Sequence, residues 1–162
     1  MDKLDMKKCS VQPIKSRLML YRDMETEIDN QIERIDILAI RMRSLQSPIM
    51  SDMPKAPHST GDRLASFVAQ KDELERKIHS LIEHQAEERK WVNSVLEKLE
   101  SPNERAVIQL RYLEVCSWDE VARALFGRNE DYLDRKDSYV RRTTMIHGRA
   151  LVNMALVLSG GS

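Results

Sequence analysis

IKSRLMLYRDMETEIDNQIERIDILAIRMRSL, residues 14–45, sets the fold class. Apolar side chains return every seven positions at Ile14, Tyr21, Ile28, Ile35 and Met42, and three residues further on at Met24, Leu38 and Leu45. That heptad spacing gathers them on one face of an α-helix, with mostly charged residues between. Leu18, Ile32 and Ala39 widen the stripe beyond a two-stranded seam, so the helix is expected to pack against more than one neighbour. At about 1.5 Å per residue the segment would be about 45–50 Å long.

Downstream, SPIMSDMPKAPHSTG (47–61) holds Pro48, Pro54 and Pro57 and predicts a loop, because proline removes a backbone donor and restricts the residue before it. Thr60 or Asp62 could cap a second helix reaching about Glu100. Its expected inner side carries Leu64, Phe67, Val68, Leu74, Ile78, Leu81, Ile82, Val92, Val95, Leu96 and Leu99. Gln85, Glu88 and Arg89 interrupt that stripe, where the helix is either wet or meets another chain. Two long amphipathic helices joined by a proline-rich loop imply an antiparallel, coiled-coil-like hairpin over 14–100, preceded by a tail at 1–13. A stripe this broad implies a homodimer that buries the remainder.

Composition agrees with helices. Of 162 residues 32% are charged and only 5% aromatic, with five glycines and five prolines, which leaves little material for an alternating sheet and excludes an all-β fold. The length excludes a large multidomain enzyme. Twenty-six Lys and Arg balance twenty-six Asp and Glu, so any nucleic-acid site must be local. Cys9 and Cys116 are far apart without metal-ligand spacing and read as free thiols, which suits a reducing cytoplasm. The first ten residues lack an apolar signal core and no apolar run approaches a membrane span, so no membrane partner is expected.

Ser101-Pro102 opens a second module, a cap followed by a proline suited to a helix's first turn. NERAVIQLRYLEVCSWDEVARALF (103–126) predicts a helix from about Pro102 to Glu114, a turn at Val115-Cys116 and a helix from Ser117 to about Phe126. Ser117-Trp118-Asp119-Glu120 has the form of a capping box. Val107, Ile108, Leu110 and Leu113 supply the inner face of the first helix, and Val121, Ala122 and Leu125 that of the second, with Trp118 as a hydrophobic wedge. SYVRRTTMIHGRALVNM (138–154) then predicts a last helix to Val157, buried along Val140, Ile146, Ala150, Leu151 and Met154. From Ser138 to the end of the chain there are three arginines and no acidic side chain.

These residues resemble the helix-turn-helix of region four of bacterial sigma factors, with a Glu-Arg-x-Val-Ile-x-Leu-Arg-Tyr helix, a Ser-Trp-x-Glu helix and a recognition helix. The chain is similar, more closely, to phage regulators of late transcription of the ArpU and RinA type, which place a long helical region before that module. The resemblance covers the last 60 or so residues well and the rest loosely. It implies an all-α chain with a three-helix DNA-binding domain at 101–158 and a short tail at 159–162. It also implies a double-stranded DNA partner and a phage or prophage activator working with host RNA polymerase in the bacterial cytoplasm. Arg141 and Arg142 fall where the sigma-type module places base and phosphate contacts, with Thr144 and Met145 one turn on, the pair suited to reading shape or a thymine methyl. His147 and Ala150-Leu151 are usual in the phage regulators. The expected DNA surface also takes in Ser138, Tyr139, Thr143 and Arg149.

The interval GRNEDYLDRKD (127–137) exceeds the short turn the simple motif needs. It is either an ordered loop or a backward extension of the last helix that would align Asp131, Asp134 and Asp137. Arg128, Arg135 and Lys136 are expected toward the DNA backbone, and the acidic residues away from it. No phosphate loop, HExxH or convergent Ser/His/Asp set appears, and His58, His79, His84 and His147 are scattered, so no enzyme, metal, cofactor or small-molecule substrate is expected. Two other functions fit the same outline: a DNA-packaging subunit like a small terminase, and a sigma-like interaction protein that does not read DNA.

Overall fold

The computed structural model describes residues 3–46 and 59–160. Helix α1 spans Lys3–Gln46 and α2 Ser59–Leu96. Helix α3, Pro102–Ile108, runs into a π-helical turn at Gln109–Leu113, and α4 (Trp118–Phe126) and α5 (Lys136–Ser159) follow. The described residues contain no strand, and none of their helices is long and apolar enough to cross a membrane.

Two boundaries differ from the sequence reading. Residues 3–13, expected as a tail, belong to α1, with Pro13 inside the helix. Leu, Met, Lys and Gln around it are strong helix formers, and proline forfeits a backbone bond only locally. Residues 59–61, expected in the loop, open α2, and Asp62 lies in its first turn, where the helix dipole favours a carboxylate. The rest of the expected loop, with Pro48, Pro54, Pro57 and His58, lies outside the described residues, as do the Cys9 side chain and residues 161–162 of the C-terminal tail.

The chain divides into two compact units, one of residues 1–23 with 86–162 and one of residues 24–85. The division therefore falls within the long helices and not at Ser101. In the unit of 24–85, the Glu27 carboxylate accepts from Lys77 at 2.9 Å, and Glu25 accepts from Gln85, so the two segments run antiparallel. The core is thin: Met24, Ile28, Leu38 and Leu74 are buried. Between Ile28 and Leu38 the core line passes through Gln31, 4% exposed, while Ile32, expected on the inner face, is 45% exposed. The Gln31 amide is satisfied there, donating to Glu27 at 2.6 Å and accepting from Arg34 at 3.0 Å, as a buried amide must be. Val68 and Ile82, also expected inside, are exposed.

The other unit holds the larger core. Leu18 and Tyr21 of α1, Val92, Val95 and Leu96 of α2, and Leu99 just beyond it are buried, together with Val107, Ile108, Val121, Ala122, Ile146, Ala150 and Met154. The polar positions 88 and 89 of α2 are occupied by ion pairs: Glu88 with Arg17 at 2.6 Å and Arg89 with Glu114 at 3.5 Å. The Arg17 guanidinium also lies 3.7 Å from the Trp91 ring centre. That part of the interruption in the α2 stripe thus carries charge-assisted contacts within the chain.

Candidate nucleic-acid interface

Local sequence builds the scaffold beneath α5. Ser101 caps α3, its hydroxyl accepting from the Glu104 amide at 3.4 Å, with Pro102 at the first position. The expected capping box closes α4 from both sides: Glu120 accepts from the Ser117 amide at 2.7 Å, and the Ser117 hydroxyl accepts from the Glu120 amide at 3.3 Å. Between the helices, Arg111 donates to the Cys116 carbonyl at 2.8 Å, and Val115 adopts a left-handed φ of 56°, a conformation β-branched residues avoid.

The π-helical turn resets which side chains face inward. Buried positions there step by five, from Val107 to Tyr112 and from Ile108 to Leu113, as an i→i+5 turn requires. Tyr112 therefore takes the inner place expected of Leu110, which is half-buried.

Helix α5 buries two residues expected on its DNA face. Thr143 is fully buried and donates to the Tyr139 carbonyl at 2.9 Å. His147 is 8% exposed, its Nε2 lies 2.8 Å from the Tyr112 hydroxyl, and its ring meets Trp118 edge-on at 5.0 Å. Burial, then the nearby Lys15 and Arg111 cations, hold this imidazole at about 4, so it is neutral at pH 7. The physical reason is periodicity: positions 143, 147, 150 and 154 form one line against α3 and α4, whatever their polarity. Asn153 ties the same helix to α3, donating at 2.8 Å to Glu104, which is 8% exposed.

The enlarged interval is an ordered series of turns, and α5 begins only at Lys136. Its anchor is Tyr132, 4% exposed and part of the core cluster with Val107, Val121, Phe126 and Ile146. Tyr139, expected to face DNA, is half-buried: its ring stacks on Phe126 at 5.2 Å and its hydroxyl donates to Asp131 at 2.6 Å. That bond, with a weaker contribution from Arg135, holds the Asp131 carboxyl below its ordinary value. Asp131 is thus turned onto α5, while Asp134 and Asp137 are exposed. Arg135 pairs with Asp131 at 3.3 Å and Lys136 with Asp119 at 2.9 Å, so both expected phosphate contacts already have carboxylate partners.

The outward side of α5 is centred on Met145, 69% exposed. Ser138, Arg141, Arg142, Gly148 and Arg149 are also exposed and fall within about 60° of it around the helix, with Thr144 exposed at the margin. Arg142 lies over the Phe126 ring at 5.1 Å, and the Thr144 hydroxyl donates to the Arg141 carbonyl at 2.8 Å. The side chains of Arg128, Arg141 and Arg149 make no hydrogen bond or ion pair with the described residues. Compared with protein-family models, curated proteins and solved structures, the chain finds no match.

Proposed function

We propose that the chain is a sequence-specific, duplex-DNA-binding transcriptional regulator that lays α5 in the major groove. The observation that carries this reading is the outward side of α5, where Arg141, Arg142 and Arg149 surround Met145 and no acidic residue follows Asp137. A phosphate backbone is attracted by unopposed cations, and arginine can also read guanine through two parallel hydrogen bonds. The capped α3–turn–α4 pair beneath it supports the same reading, since it holds that helix by local structure.

The protein acts as a homodimer through its long helices, a reading supported by the exposed Ile32, Ile37, Ile40, Val68 and Ile82 of residues 24–85. By the resemblance above, it is a phage or prophage activator of late genes that works with host RNA polymerase in the bacterial cytoplasm. One experiment tests the core of this proposal: selection of duplexes from a random pool, followed by titration of the enriched sequence with the protein and with Arg141→Ala. A defined motif with two related half-sites is expected, with the variant weakened by about 1–3 kcal/mol at matched salt. No enrichment, or equal affinity of the variant, overturns it.

A further inference from the structure

Gly148 stands in the middle of α5 with open space where a β-carbon would lie, so no neighbour inside the fold requires a glycine there. Gly127 is the contrast, since a β-carbon at that position would come within 2.5 Å of the Arg123 carbonyl oxygen. Glycine inside a helix is less favourable than alanine, and packing among the described residues does not offset it. The bare backbone lies on the outward side, one turn beyond Met145 and two turns beyond Arg141, with Arg149 beside it.

The two ends of the cationic face differ. In the first turn of α5, Lys136 is held by Asp119 and the Tyr139 hydroxyl by Asp131, and one turn later Arg142 rests on Phe126. Between 141 and 149 the Arg141 and Arg149 side chains have no partner among the described residues, Met145 projects into solvent, and the backbone at 148 is unshielded. A polyanion arriving at α5 meets the least competition and the least bulk between 141 and 149.

We propose that the middle of α5, and not its first turn, enters the groove, with the backbone at Gly148 in contact with the duplex and Met145 packed on a thymine methyl group. The thymine methyl is the apolar group that base edges present in the major groove, and it suits an exposed thioether flanked by arginines. Arg141 and Arg149 hold the flanking phosphates. This rests on the DNA-binding reading above and specifies which part of the helix makes the closest approach.

The test uses the full chain, a duplex enriched from a random pool, and the same duplex with every thymine replaced by deoxyuridine, which removes only the methyl groups. Gly148→Ala and Gly148→Leu should keep or raise helical content by circular dichroism, since both residues favour helix. Their affinity should fall by about five-fold and more than about twenty-fold respectively, as a growing side chain pushes the helix from the groove. Deoxyuridine should weaken the unaltered protein about three- to five-fold, the worth of one buried methyl, and should have less effect on Met145→Ala. If Arg141→Ala weakens binding while Gly148→Leu binds normally, close approach at Gly148 is wrong and the DNA reading stands. If deoxyuridine weakens the unaltered protein and Met145→Ala equally, the methyl contact is wrong. If no duplex is enriched, the DNA reading and this proposal fail together.

Discussion

Lowering the pH from 7 to 5 should destabilise the fold around α5 through one side chain, His147. The imidazole is packed against Tyr112 and Trp118 and is held at about 4 against an ordinary 6.5, first by burial and then by Lys15 and Arg111. The unfolded chain therefore takes up a proton near 6.5 and the folded one only near 4. Stability from the neutral imidazole is complete above that upper value, declines through the interval, and is gone below the lower one. Between pH 7 and pH 5 these two values correspond to a loss of about 2 kcal/mol, a sizeable part of the roughly 5–15 kcal/mol that holds a domain together. Glu120, Glu27 and Asp131 are held below their ordinary values by hydrogen bonds from Ser117, Lys77 and Tyr139 respectively. Their contributions are lost only at more acid pH, below this window. Urea denaturation followed by circular dichroism at pH 7, 6 and 5 reads the effect. His147→Gln can still hydrogen-bond to the Tyr112 hydroxyl but cannot titrate, so its stability should change far less over the same interval. Equal losses in the two proteins, or no loss in the unaltered one, would refute the role given to His147.

Two other substitutions test the packing that positions α5. Tyr132→Phe should raise stability by about 1 kcal/mol, because the Tyr132 hydroxyl is buried without a hydrogen-bond partner among the described residues, and an unsatisfied buried group costs that much or more. A lower urea midpoint for this variant would show that the hydroxyl is satisfied. Val115→Gly should raise the midpoint by the equivalent of about 0.5–1 kcal/mol, since relief of the left-handed backbone at a β-branched residue outweighs the entropy glycine adds to the unfolded chain. A fall would mean that the half-buried valine side chain contributes more than its backbone costs.

What was legible in the sequence is what local chemistry determines. The Ser101-Pro102 start and the Ser117–Glu120 capping box depend on residues three or four apart and were readable without knowledge of the fold. The paired long helices followed from the heptad line, yet Gln31 took the buried place beside Ile32, because helical phase, and not hydrophobicity alone, selects which of two neighbours turns inward. The π-helical turn was illegible: Leu110, three residues from both Val107 and Leu113, keeps an ordinary helical spacing that hides the five-residue step, so Tyr112 was missed. Tyr132 was missed because turns carry no period, and Glu104 because its partner Asn153 is 49 residues away.

The expected DNA surface was too broad for a related reason. Polar type placed Thr143 and His147 outside, although their spacing with Ala150 and Met154 already put them on the inner line. For Arg135, Lys136 and Tyr139 the sequence reveals nothing of the carboxylate that folding brings beside each, here Asp131 or Asp119. Burial and internal pairing together reduce the expected set to Arg128, Ser138, Arg141, Arg142, Thr144, Met145 and Arg149 as groups turned outward and not held by a carboxylate. Within it Arg142 lies over Phe126 and Arg128 lies in the turns before α5, so the unengaged cations of α5 itself are Arg141 and Arg149. They stand on either side of Met145, about one turn away in each direction, a separation that allows both to reach toward backbone while the thioether between them meets an apolar patch.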